Sequence, residues 1–205
     1  MQILDIHYRA RYGYELVGIM DRGNVLDIFE VIRKRRSARA YSPTPVSEQI
    51  LVKVLDAARR APSASNKQPW HFIIVKDEMK RIRIARGCGY GRFLAESPVI
   101  IVACGDRKAS PNWHVVDTTI ALEHIVLAAT ALDLGTCWIG SFDEEDVRKT
   151  LKIPEKFEII ALIALGYPRK TLDLLPKILH LLRPRKKLKD IISVEIYGDP
   201  LRQKN

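Results

Sequence analysis

Three short apolar runs, residues 70–75, 99–104 and 157–165, most constrain what this chain can fold into. Each is strand-sized and bounded by Pro or Gly, and helix-sized segments separate them. Strands alternating with helices predict an α/β or α+β sandwich built on one sheet.

The flanking residues sharpen that expectation. Asn24, with Asp27 three residues on, is placed to cap a first helix with Val25, Ile28, Phe29 and Ile32 on one face. Ser47 caps a second helix whose apolar side is Ile50, Leu51, Val54, Leu55 and Ala58. Asp77 opens a helix that ends before Gly87, and a long helix over 115–132 is expected to stop at Gly135. A short strand follows over 136–139, then a helix with the acidic first turn Asp143 to Asp146. Residues 1–24 read as an N-terminal extension, 25–198 as the domain and 199–205 as a tail. Within the domain, 172–184 is an apolar insertion, and alternating Ile192, Val194 and Ile196 predict a final strand.

With 205 residues, 47% apolar and 28% charged, the composition is that of an ordinary globular protein. No apolar run approaches the roughly 18 residues of a membrane helix, and charges interrupt the N-terminus, so a soluble cytoplasmic protein is expected. Three cysteines, Cys88, Cys104 and Cys137, are too few for a disulfide framework and lack zinc-ligand spacing. The net charge of +10 raises nucleic acid as a partner. The basic residues, however, form two clusters, 33–39 and 183–189, without a duplex-reading motif, and one small phosphate explains them as well.

Three segments could carry chemistry. Arg35, Arg36, Ser37 and Arg39 offer guanidinium forks and a hydroxyl within five residues, a set suited to a phosphate dianion. The small-residue loop 61–69, with Asn66 and Gln68, lets backbone approach a ligand and supplies paired donors and acceptors. Gly135-Thr136-Cys137-Trp138-Ile139-Gly140-Ser141 ends a strand in glycine, leaving N–H groups exposed before a helix. The five histidines form no metal-ligand group and none pairs with a nucleophile; His114 reads as structural. No side chain is assigned a catalytic role, so a reaction here belongs to a cofactor.

In order along the chain, these segments resemble the nitroreductase family of FMN-dependent NAD(P)H oxidoreductases. The matching pieces are Arg35-Arg36-Ser37-Ala38-Arg39-Ala40-Tyr41, Ala61-Pro62-Ser63-Ala64-Ser65-Asn66-Lys67-Gln68-Pro69-Trp70, Leu134 to Gly140, Leu165-Gly166-Tyr167-Pro168 and the basic stretch 185–188. The resemblance implies an α+β homodimer, a mixed sheet sandwiched by helices, with the C-terminal strand exchanged between subunits and two FMN sites at the interface. It implies that Arg35, Arg36, Ser37 and Arg39, joined by Arg185 and Lys187, hold the FMN phosphate and ribityl chain. Pro62, Ser63, Ala64 and Asn66 would reach the flavin from the other subunit. Trp138, Ile139, Gly140 and Ser141 would line the ring, with the Gly140 N–H toward N5 and Arg92 near N1 and the C2 carbonyl. The implied reaction is ping-pong: hydride passes from NADH or NADPH through the flavin to a small planar acceptor such as a nitroaromatic or quinone. Dehalogenation, flavin fragmentation and, in another class, nucleic-acid binding are the alternatives.

Overall fold

The computed structural model describes residues 27–89, 91–169 and 184–200. The chain divides into two compact units, 1–168 and 169–205.

In the first unit the helices are α1 (Ile28–Lys34), α2 (Glu48–Arg59), α3 (Glu78–Arg86), α4 (His114–Ala131) and α5 (Glu144–Leu151). The strands are β1 (Trp70–Val75), β2 (Val99–Asp106), β3 (Gly135–Ile139) and β4 (Phe157–Gly166). They form one sheet in the order β1-β2-β4-β3, each neighbouring pair antiparallel. The one parallel pairing among the described residues is a bridge from Ser37 to Thr136 outside the named strands.

Helix starts follow the caps in the sequence. Ser47 accepts the Ile50 N–H at 3.3 Å, Asp77 that of Lys80 at 2.9 Å and Asp143 that of Asp146 at 2.9 Å. Each such cap contributes on the order of 1 kcal/mol by pairing an N–H the helix cannot satisfy itself. At α1 the cap is Asp27 rather than Asn24, its carboxylate accepting from Phe29 N at 3.3 Å.

The sheet is covered on both sides. Val54 and Ala58 of α2 and Leu122, Ile125 and Val126 of α4 pack with Val99, Ile101 and Ala103 on one face. Ile84 of α3 and Val147 of α5 pack with Ile100, Val102 and Cys104 on the other. On β4, Ile159 belongs to the second face and Ala161, two residues on, to the first. Strict alternation forbids that, and the register shift between Ala103 and Cys104 accounts for it: Ala103 faces Ala161 and Cys104 faces Ile159, leaving Ile160 as the extra residue of a bulge.

Two expectations need correction. Ile28, Phe29 and Ile32 do not enter the core; they are 53%, 66% and 50% exposed, and Val31 is the buried residue of α1. The predicted stop at Gly135 is also displaced: α4 ends at Ala131 with Leu132 as its cap, Asp133 takes the left-handed conformation (φ 57°), and Gly135 begins β3.

In the second unit the described residues 184–200 contain one 3-10 turn, Leu188–Asp190, and no strand. The alternation of Ile192, Val194 and Ile196 is broken by Glu195 at φ 62°, where Ile196 N–H donates to Val194 O at 2.7 Å. An alternating segment becomes a strand only where another strand offers a ladder, and this one has none here. The N-terminal extension (1–24), most of the insertion at 172–184 and residues 201–205 lie outside the described residues.

Candidate functional site

The basic segment after α1 is part of the sheet rather than a loose helix end. Ser37 bridges Thr136, and the Ala38 N–H donates to Thr136 O at 2.9 Å. Farther on, Ser42 N–H donates to Tyr167 O at 2.8 Å, and buried Tyr41 gives its hydroxyl hydrogen to Ala38 O at 2.7 Å. Residues 37–42 thus line the free edge of β3 and the end of β4. Gly135 makes this approach possible, because a Cβ there would fall 2.6 Å from Ala38 Cβ and 3.2 Å from Pro168 Cβ.

This lacing gathers Arg35, Ser37 and Arg39 around the start of β3. Burial pushes the Cys137 thiol up, while Arg39, a hydrogen bond with Ser37 and Arg35 act the other way. Arg35 also faces Glu123 of α4, whose carboxyl is raised by burial and drawn back by that guanidinium. Arg36 turns elsewhere: its Nη1 donates to the carbonyls of Arg33 and, at 2.8 Å, Arg35, closing the end of α1.

At the other end of β3, Ile139 is the last paired residue, and Gly140 and Ser141 are exposed. Trp138 packs partly buried on one side of the sheet, with Ile139 buried on the other. A Cβ at Gly140 would meet nothing within 4 Å, so its backbone borders open space. Asp143 N–H donates to Gly87 O at 2.9 Å, and a Cβ at Gly89 would lie 4.0 Å from Ser141 Oγ. The loop leading to Arg92 therefore adjoins the Gly140 turn. Arg92 itself lies in the 3-10 turn Arg92–Leu94, and its side chain is outside the described part.

The small-residue loop folds into a 3-10 turn, Ala64–Asn66, between α2 and β1. Ser65, Asn66 and Gln68 all have positive φ, at 51°, 54° and 48°. Left-handed backbone costs a non-glycine residue roughly 1–2 kcal/mol, so these three conformations are imposed by their surroundings. Ser63 O accepts from Asn66 N at 2.9 Å and Ser63 Oγ from Gln68 N at 2.9 Å, while Asp117 of α4 accepts the Ala64 N–H at 3.1 Å. Pro62, Ser65 and Asn66 are exposed.

One chain does not bring all these pieces together. The turn precedes β1 and the basic segment lines β3, strands on opposite edges of the sheet and so about 14 Å apart at least. Helix α4 stands between them, with Asp117 against the turn and Glu123 toward Arg35. Arg185 and Lys187 are exposed in the second unit.

A model of the nitroreductase family matches residues 32–89 and 85–167, a span holding every one of these pieces of the first unit. The chain belongs to the nitroreductase family. It is 36% identical over 154 residues to a candidate NADH dehydrogenase/NAD(P)H nitroreductase of Archaeoglobus fulgidus, covering 72% of this chain and 88% of the relative. Its fold matches an FMN-dependent nitroreductase from Clostridium difficile R20291 with a TM-score of 0.66 and 34% identity, over 70% of this chain and 88% of that one. A nitroreductase family protein from Clostridium novyi NT gives a TM-score of 0.67 at 32% identity, over 85% and 97% of the two chains.

As a nitroreductase-family member this chain is an oxidoreductase with the α+β fold expected of it. All three cysteines are buried, and burial pushes Cys88 and Cys104 up to about 11. His114 is structural, its ring nitrogens 3.0 Å from Ser110 O and 3.0 Å from the Glu158 carboxylate. Among the described residues, no helix is long and apolar enough to cross a membrane.

Two residues of this region escaped the sequence reading. Glu123 and Asp117 sit in a helix whose apolar periodicity draws attention to its other faces. The one available signal was a carboxylate, Asp117, within the otherwise apolar and small run between Val115 and Leu122.

Proposed function

We propose that this chain is an FMN-dependent NAD(P)H oxidoreductase acting as a homodimer on a small planar acceptor, a nitroaromatic or a quinone. The observation that carries the reading is that β3 holds a cationic cluster at one end and open glycine backbone at the other. From Thr136 to Gly140 is about 14 Å of extended strand, the order of length of a phosphate tethered by a short polyol to a fused ring.

The residues present fit such a group. Arg35 and Arg39 supply guanidinium forks for phosphate oxygens, and Ser37 adds a hydroxyl at the same strand end. Arg36, engaged with the carbonyls of α1, holds the segment's shape in this arrangement. A Cβ at Gly140 would meet nothing within 4 Å, so a planar ring would lie against this backbone, with the Gly140 N–H toward a ring nitrogen. Arg92, on the loop adjoining that turn, would be the cation that opposes negative charge on the ring.

FMN bound there supplies the hydride and electron transfer between NAD(P)H and the acceptor, in two separate half-reactions. The protein's work is to bind, orient and shield. Because α4 separates the Pro62–Asn66 turn from the basic segment within one chain, Pro62, Ser63, Ala64 and Asn66 would serve a site completed by a second copy. The exposed apolar side of α1, Ile28, Phe29 and Ile32, supports burial of that helix against such a copy.

Steady-state kinetics of the FMN-loaded protein test this reading, with NADH or NADPH varied against a nitroaromatic and a benzoquinone. Parallel double-reciprocal lines are expected with at least one acceptor. Absence of turnover with every pair overturns the assigned acceptor class.

A further inference from the structure

Asp117 is 3% exposed, yet its carboxyl is not surrounded by donors. One oxygen accepts the Ala64 N–H at 3.1 Å across 53 positions of sequence. The other, buried, has no hydrogen-bond partner in the structure. An apolar side chain would fill the same place in the first turn of α4 without burying an unpaired oxygen, so the carboxyl is kept at a cost to folding. What it gains is a grip on Ala64, the first residue of a turn in which Ser65, Asn66 and Gln68 are all left-handed. The other bonds of that turn are local and exposed, from Ser63 and Asn66 to residues two to five positions on. Asp117 is the side chain that ties the turn to the helical frame.

We propose that Asp117 is a positioning residue for the Pro62–Asn66 turn, holding it through the Ala64 N–H in the one conformation that can engage FMN. This rests on the reading of the turn as part of a flavin site. Asp117 acts at a distance through backbone: it fixes where Ala64 begins the turn, and so where exposed Ser65 and Asn66 present their polar groups.

The bond can be removed from either side. Asp117→Ala deletes the acceptor. Ala64→Pro deletes the donor at little conformational cost, because Ala64 is the first residue of its turn and Ser63 before it is already extended (φ −145°, ψ 156°). Asp117→Asn keeps a carbonyl oxygen in the accepting place. The measurement is the FMN dissociation constant, from quenching of flavin fluorescence on titration with each protein, alongside far-ultraviolet circular dichroism.

The expected pattern is a rise of about ten-fold in Kd for Asp117→Ala and for Ala64→Pro, a value near wild type for Asp117→Asn, and no multiplication of the losses in the double variant Ala64→Pro/Asp117→Ala. Should Asp117→Ala not fold, Ala64→Pro and Asp117→Asn carry the test between them. Unchanged Kd in Ala64→Pro, or independent multiplying losses in the double variant, overturns the positioning role. Wild-type protein that takes up no FMN instead overturns the flavin reading beneath it, and the two failures are told apart by the wild-type titration alone.

Discussion

Ala38 donates its backbone N–H to Thr136 O at 2.9 Å, so the cationic segment after α1 is an outer rung of the sheet. This one relationship fixes Arg35, Ser37 and Arg39 relative to β3, and hence relative to Gly140 at its far end. A flexible helix end could carry the same charges, but it could not hold them at a set spacing from an open backbone turn.

Arg35 and Arg36 should therefore separate in their effects. Arg35→Ala is expected to weaken FMN binding by about 1.5–3 kcal/mol, the worth of a charged hydrogen bond. Arg36→Ala, whose guanidinium bonds the α1 carbonyls, should cost under about 1 kcal/mol. Equilibrium titration of both variants with FMN checks the difference.

Gly135→Val tests the lacing itself. A Cβ at 135 already falls 2.6 Å from Ala38 Cβ, so branching it must push the segment away from β3. The expected loss is about 1–3 kcal/mol in chemical unfolding, together with weaker FMN binding.

Gly140→Val should separate binding from stability. Its Cβ enters open space, so the unfolding midpoint should stay close to wild type while FMN affinity falls at least about ten-fold, the worth of blocking one close ligand contact. Equal loss of stability and affinity would mean that this glycine serves the fold.

These residues also show what was legible in the sequence. Ser47 and Asp77 announced their helices because a cap acts within four residues, the acidic run Asp143 to Asp146 announced another, and the strands announced themselves by apolar runs between Pro and Gly. The ordered motifs identified the family, and the fold followed. Gly135 was misread as a helix stop because sequence shows that a glycine is needed but not by which neighbour; the neighbour is Ala38, almost a hundred positions earlier. Ile28, Phe29 and Ile32 have the spacing of a core face, but periodicity does not say whether their cover lies in the same chain. Asp117 was overlooked for the same kind of reason: its partner, Ala64, is 53 positions away. The strand expected over 191–197 is not formed among the described residues; the resemblance pairs it with the sheet of a second copy, which the sequence of one chain cannot display.

Stability in acid should report Glu158. Its carboxyl is held below the usual 4.5 first by the His114 hydrogen bond, then by Arg107, with burial opposing. A depressed native value stabilises the fold above the ordinary glutamate range and is lost as pH falls through the native value. Wild type should thus exceed Glu158→Gln near neutrality by under about 1 kcal/mol, since the group is partly exposed. The gap should close below about pH 4. Urea unfolding at several pH values measures it.

The most direct test of the central claim is the absorption spectrum of protein mixed with FMN, passed through a sizing column and then given NADH or NADPH without oxygen. The account predicts flavin absorbance travelling with protein at twice the 23.4 kDa chain mass and bleaching on addition of at least one nucleotide. Colourless protein, or bound flavin that neither nucleotide bleaches, would contradict it.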